Sequence, residues 1–337
     1  MTSYISSQKW PVINLLGVII LVFSSYDTSF ANERKGPIHP PLLHRGDKVA
    51  IVAPAFWLID AKLIVSKATK LLNSWGLEVV LGQHLYKKSG RLAGTDAQRR
   101  EDLQGALDDP TIKAVFTLRA GYGTTRIVDE LDFTQFLRGP KWIIGFSDMT
   151  NLLTKSHQLD VASIHGEMLK NFSEPRYASS ITSLKKLLFE GTAQLKAPAS
   201  KLNRLGVVTA PVVGGNLSLL CSNLGTPLAL DARDKILVIE DINMVLFRLD
   251  RMLMQLKRAG VLEHLAGLVI GSATAIGTWN KNVEEIIKEH VADYNYPVAF
   301  RFPIGHEAPN LAFPHGGVGK LCVEKEKASL IFAPQGR

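Results

Sequence analysis

Ser147 stands in Ile144-Gly145-Phe146-Ser147-Asp148-Met149-Thr150, where a short apolar run ends in Gly-x-Ser and a helical pattern starts at once. A serine on such a strand-to-helix turn exposes its hydroxyl, and the N–H that follows points to where an oxyanion develops. Met149 takes the place of the second glycine of lipase-type elbows, and a plain helix N-cap is the competing role for Ser147. Arg119-Ala120-Gly121-Tyr122-Gly123 forms a second junction of this kind. Its glycines suit close backbone approach to a ligand and its N–H groups suit an oxyanion hole, an ordinary turn being the alternative. As a dinucleotide fingerprint it is weak, because Arg126 occupies the third glycine position and no first-strand context fits. Glu240 and Asp241 close the run KILVIED, and His306 follows Pro303-Ile304-Gly305. A carboxylate at the mouth of a buried strand can orient an imidazole that serves as general base. In chain order these are Ser, Glu and His, the parts of a nucleophilic relay recognised by role.

Other chemistries find less support. Cys221 and Cys322 are the only cysteines and form no CxxC pair, so they read as buried small apolar residues rather than metal or redox groups. His306-Glu307 is followed by Ala308-Pro309-Asn310, which lacks the second His of a metalloprotease helix and puts a Pro in its path. No metal or organic cofactor is expected. Over 337 residues, 39 Lys and Arg against 31 Asp and Glu give a charge of +8. The basic residues are scattered and no nucleic-acid motif appears, so nucleic acid is not an expected partner. The excess suits the steering of an anionic substrate, with plain surface solvation as the alternative. At 46% hydrophobic, the chain is too apolar for a disordered protein.

These residues need a scaffold to bring them together. Residues 1–31 read as a signal peptide: Lys9, an apolar stretch from Val12 to Phe23, then Ser29-Phe30-Ala31 with small residues at the cleavage positions. The stretch is too short for a stable membrane span. The expected location is therefore periplasmic, with an uncleaved inner-membrane anchor as the alternative. From KVAIVAP onward, strand-like runs (LEVVLG, KAVFTL, WIIGF) alternate with helical patterns at 60–75, 96–107, 124–131 and 148–157. This is the pattern of a mostly parallel sheet with covering helices. Residues 173–205 are weakly patterned and polar and read as a linker. Beyond them come PVVGGN, a helix at 217–224, KILVIED, a helix at 244–259, LAGLVIG, a helix at 283–294, a strand in PVAFRFPIG and a hairpin at 320–332. The expected fold is α/β, with a flavodoxin/Rossmann-like parallel sheet domain over 45–172 and a smaller C-terminal α/β domain over 206–333. Ligands in such sheets bind at the carboxyl ends of the strands, where all three junctions lie.

The motifs VAPA, GRLAGTDAQRREDLQGALDDPTIKAVFTLRAGYGTTRI, WIIGFSDMTNL, IHGE, GGNLSLLCSNLGTP, LVIEDI, FRLDRMLMQL and PIGHEAPN run in order along nearly the whole chain. As a set they resemble the LD-carboxypeptidases, or muramoyltetrapeptide carboxypeptidases. The resemblance implies a serine peptidase with Ser147 as nucleophile, Glu240 as acid and His306 as base. The backbone N–H of Asp148 and one from Gly121 or Tyr122 would form the oxyanion hole. It also implies a homodimer, and removal of the terminal D-alanine from an L,D-linked peptidoglycan tetrapeptide. Arg119, Gly123, His165 and Glu307 are the candidate substrate contacts. Ala120 and Glu167 depart from the family pattern, the first beside the oxyanion loop and the second at the expected substrate cleft. Two other readings remain: a related self-immunity peptidase cleaving an amide-linked peptide-nucleotide antibiotic, and a non-enzymatic exported protein that binds a cell-wall peptide.

Overall fold

The β-branched run Lys48–Val52 forms strand β1, buried at every position after Lys48. It lies in a computed structural model that describes residues 37–276 and 282–334; the expected signal segment lies outside the described residues. Helix α1 (Ala61–Ser74) turns Val65, Ala68 and Leu72 inward at helical spacing. It is followed by β2 (Glu78–Leu81), and α2 (Asp96–Asp108) starts from a capping box between Thr95 and Gln98. Next come β3 (Ile112–Thr117), α3 (Thr134–Arg138), β4 (Trp142–Gly145), α4 (Thr150–Gln158) and β5 (Ser163–His165). Strands β1 to β5 are parallel in the order β5-β4-β3-β1-β2, which puts Ser147 and the 119–123 turn at neighbouring strand ends.

The helix expected at 124–131 is instead two 3-10 turns, Thr124–Arg126 and Val128–Glu130. Asp148 accepts the Thr124 N–H at 2.9 Å, and the Thr124 hydroxyl donates to the Asp148 carbonyl at 2.7 Å. These bonds tie the segment to the serine turn at its first residue. The stretch 173–205, read as a linker, carries helix α5 (Ala178–Glu190) and strand β6 (Ala193–Pro198). Leu184, Leu187 and Leu188 supply the buried face of α5.

The rest of the chain adds β7 (Gly206–Asn216), α6 (Leu217–Ser222), β8 (Ile236–Val245), α7 (Leu246–Arg258), β9 (Gly267–Ile276), α8 (Val283–His290) and β10 (Val298–Ala299). The last strands are β11 (Phe313–His315), β12 (Val318–Val323) and β13 (Lys327–Phe332). The second sheet runs β10-β9-β8-β7-β12-β13-β6; β7 to β10 are parallel, whereas β12, β13 and β6 are antiparallel. The strand expected through PVAFRFPIG shrinks to Val298–Ala299, because Arg301 takes a left-handed φ of 64° and Pro303 has no N–H to donate. Strand β11 leaves the second sheet and adds antiparallel to β5, Phe313 opposite His165. One core of buried residues, including Val49, Ile144, Leu187, Val212 and Leu330, runs beneath both sheets.

Candidate active site

Ser147, His306 and Glu240 are far apart in the chain, yet their side chains form one hydrogen-bonded line. His306 Nε2 lies 3.0 Å from Ser147 Oγ, and His306 Nδ1 lies 2.6 Å from Glu240 Oε2. Strand β4 delivers Ser147 by a sharp turn: Gly145 ends the strand, and Ser147 takes φ 63°, a left-handed conformation a serine adopts at a cost. A Cβ on Gly145 would stand 2.6 Å from Met149 Cγ, so the chain can double back here only with glycine. Strand β8 delivers Glu240, which is fully buried.

His306 is held as a unit with its loop. Its N–H donates to Ser272 Oγ at 2.8 Å, and the Gly305 N–H donates to Asn310 Oδ1 at 2.8 Å. Gly305 takes φ 114°, and a Cβ there would come within 2.8 Å of Glu240 Oε2, so only glycine lets the loop lie against the carboxylate. Burial by itself lowers the imidazole's proton affinity. The Glu240 hydrogen bond and charge, with Asp241, offset this, and the net shift is upward from 6.5. Phe146 packs edge-on against the imidazole, ring centroids 5.1 Å apart.

Asn216 and Asp241 complete the support of Glu240. Asn216 Nδ2 donates to Glu240 Oε1 at 3.3 Å and to Asp241 Oδ1 at 3.1 Å, while Asp241 Oδ2 accepts from the Ser218 N–H and hydroxyl at 2.9 and 2.6 Å. Asp241 is thereby spent on structure, which leaves Glu240 as the carboxylate facing the imidazole. The composition pattern did not single out Asn216, Ser272 or Lys170. GGN at the carboxyl end of β7 obeys the same strand-end rule as the junctions that were recognised, and was the available signal for Asn216.

The 119–123 turn packs beside the serine turn. Gly121 takes φ 128° and Gly123 takes φ 147°; a Cβ on Gly121 would run into the Phe56 ring at 2.3 Å. Arg99, buried in α2, donates to the Gly123 carbonyl at 2.9 Å and the Pro54 carbonyl at 2.6 Å, and is paired with Asp96. It fixes this loop from beneath. Tyr122 is exposed, edge-on to Phe56. Arg119 donates to the Trp57 carbonyl at 2.9 Å, and burial followed by the charge of Arg91 lowers its pKa. Lys170 is half-buried nearby; burial first, then the charge of Arg119, lowers its pKa, and its own charge is felt at His306. Lys170 thus links the Arg119 loop electrostatically to the imidazole.

His165 does not join this group. It is fully buried behind Phe146 and stacked on Phe313 at 4.9 Å, so it offers no surface to a ligand. Burial, then the charge of His306, pushes its pKa down to about 3, which keeps the ring neutral. Glu307 is exposed and lines a cavity of about 570 Å³ with Ser272, Glu284, Arg301 and Pro303. Glu167, placed by its sequence neighbours at the cleft, is interior at 1% exposed. Among the described residues no three His, Cys, Asp or Glu side chains cluster as a metal set. No described helix is long and apolar enough to cross a membrane.

A hydroxyl on a strained turn, in contact with an imidazole that a buried carboxylate orients, is the apparatus of acyl transfer by a covalent intermediate. The fold and this geometry define an α/β protein with the parts of a nucleophilic hydrolase, and sequence comparison gives the family. The LD-carboxypeptidase N-terminal domain matches residues 49–166 and the LD-carboxypeptidase C-terminal domain matches residues 209–321. The chain belongs to the LD-carboxypeptidase family. It is 36% identical over 303 residues to a probable murein peptide carboxypeptidase of Bacillus subtilis, covering 87% of this chain and 94% of that one. The crystal structure of a muramoyltetrapeptide carboxypeptidase from Oxalobacter formigenes superposes with a TM-score of 0.78 at 27% identity, over 85% of this chain and 98% of that one. The microcin C7 self immunity protein MccF shares the fold, with a TM-score of 0.78 at 21% identity over 88% of this chain and 99% of that one.

Proposed function

We propose that the protein is a serine carboxypeptidase that removes the terminal D-alanine from L,D-linked peptidoglycan tetrapeptides. The observation that carries this reading is the line Ser147 Oγ, His306, Glu240 with contacts of 3.0 and 2.6 Å. His306 takes the Ser147 proton as the hydroxyl attacks the scissile carbonyl, and Glu240 holds the imidazole in the tautomer that leaves Nε2 free to accept. The imidazolium then protonates the leaving amine of D-alanine. Water, activated by the same imidazole, releases the acyl group from Ser147. The N–H of Asp148 and one from Gly121 or Tyr122 receive the oxyanion. Arg119 and Lys170 meet the carboxylate of the departing D-alanine, a charge that a water-filled cleft alone would hold weakly.

The N-terminal segment fits export, so the reading extends to a periplasmic protein freed of residues 1–31 and acting as a homodimer on murein peptides. Mass spectrometry of purified muropeptides incubated with the protein tests the activity. The expected result is loss of one alanine from tetrapeptides, abolished in S147A. Intact tetrapeptides beside a cleaved peptide-nucleotide amide would move the substrate to the self-immunity class.

A further inference from the structure

Glu167 follows β5 by two residues, and it is buried without being used by the relay just described. Its Oε1 accepts from the Met168 N–H at 3.0 Å and from Asn171 Nδ2 at 2.7 Å. Its Oε2 is buried with no hydrogen-bond partner, and so is Asn310 Nδ2, one an acceptor and the other a donor. Burial raises the Glu167 carboxyl's pKa on balance; the Asn310 amide, near it though short of hydrogen-bond geometry, opposes that rise along with Met168, Asn171 and Lys170. Asn310 is itself completely buried; its N–H donates to Ser180 Oγ at 2.8 Å and its Oδ1 takes the Gly305 N–H at 2.8 Å. The Gly305 N–H identifies which end of this amide is the oxygen, which leaves Nδ2 on the Glu167 side. Gly305 is the residue before His306, and the His306 N–H is held from the other direction by Ser272.

We propose that Glu167 is a positioning residue for the general base: its carboxylate orients Asn310, whose amide oxygen holds the Gly305 N–H and so sets the His306 imidazole against Ser147 and Glu240. The proposal rests on the serine-peptidase reading of His306. A buried acceptor facing a buried donor gains from pairing, whereas two donors face to face leave both unsatisfied. An imidazole displaced by a fraction of an ångström loses rate without losing substrate binding.

The test uses that polarity. In E167Q the Gln oxygen keeps the Met168 and Asn171 contacts, so its amide N–H₂ faces Asn310 Nδ2. The expected result is a fall in kcat of about tenfold with KM within about twofold. N310D, which sets two carboxyls face to face, should give a similar loss from the other end. The double variant E167Q/N310D restores a donor facing an acceptor and conserves the charge, and should recover most of kcat. A wild-type kcat in E167Q, or a double variant no better than its worse parent, overturns the proposal. His306 titration by NMR supplies a readout that needs no substrate: its pKa should fall in E167Q, as the imidazole drifts from Glu240, and return in the double variant. If the wild-type protein cleaves no tetrapeptide but this pattern holds, the substrate reading fails and the positioning role stands. A His306 pKa unmoved across the set removes the positioning role whatever the activity. If E167Q does not fold, N310D and the double variant still carry the comparison, since rescue of N310D by the Gln requires the contact.

Discussion

The backbone N–H of Asn216 donates to Thr150 Oγ1 at 3.0 Å. Thr150 opens the helix behind Ser147, and Asn216 ends the strand beside Glu240, so one buried bond joins the turn that carries Ser147 to the strand pair that carries Glu240. Gly215 makes the approach possible, since a Cβ there would lie 2.7 Å from the same hydroxyl. T150V keeps the shape and removes the acceptor. The expected outcome is a loss of about 1–3 kcal/mol in urea unfolding, from a buried N–H left unsatisfied. A drop in kcat should accompany it, and an unchanged kcat would separate this bond from the alignment of the site.

Ser147 is the residue whose removal should cost most. S147A is expected to lower kcat/KM on the order of a millionfold and to end labelling by a fluorophosphonate. The turn itself makes a second prediction: because position 147 has φ 63°, S147G should be at least as stable to heat as S147A. A clearly less stable S147G would argue against strain at the elbow.

In the proposed relay the His306 imidazole must be neutral to accept the serine proton; burial opposes its charged form, but Glu240 and Asp241 outweigh it and shift the pKa upward. Activity should therefore fall as pH drops through a midpoint above 6.5, read in kcat/KM. E240Q should move that midpoint down while lowering kcat on the order of a thousandfold or more. An acid limb that stays put in E240Q would show that Glu240 does not set the base.

Buried neutral histidines make a separate claim on stability. His165 is pushed down to about 3, and His315 is lowered well below its ordinary value, both by burial first. The unfolded chain takes up protons near pH 6.5 that these folded rings refuse, so stability should decline as pH falls below that value. Each ring contributes a slope approaching about 1.4 kcal/mol per pH unit. H165F removes one proton from this balance, and chemical unfolding between pH 7 and 4 should show a shallower slope. An identical slope would mean that His165 takes up its proton alike in both states.

Gly121 tests the loop across from the serine. G121A pushes a methyl into the Phe56 ring and forces a left-handed φ on alanine, so kcat should fall at least tenfold with the fold kept. Retention of full activity would remove this turn from oxyanion binding.

Much of this layout is local in origin and so was readable. Gly-x-Ser at the end of WIIG, the acidic end of KILVIED and the Gly-His loop each announce a strand-to-loop junction within a few residues. The parallel sheet followed from the alternation of strand and helix patterns. What escaped depends on distant partners. The two 3-10 turns after Gly123 exist because Asp148 claims Thr124, and no window around residue 124 contains Asp148. The burial of His165 comes from Phe313, nearly 150 positions later, and the burial of Glu167 is only visible once Asn310 is folded beneath it. Arg99 reads as a surface cation in a polar helix, yet it is 1% exposed and carries the carbonyls of two loops.

Strand β11 closes the free edge of β5 with Phe313 to His315, drawn from the far end of the chain. Synthesis from the N-terminal side has therefore completed β1 to β10 before the first sheet receives its last strand. Until then β5 offers an unpaired edge of the kind that invites association between nascent chains. The same late segment follows His306 by fewer than ten residues. Sealing that edge and delivering the imidazole to Ser147 thus belong to one stage of synthesis, and a chain stopped before His306 would lack both the finished sheet and the ring beside Ser147.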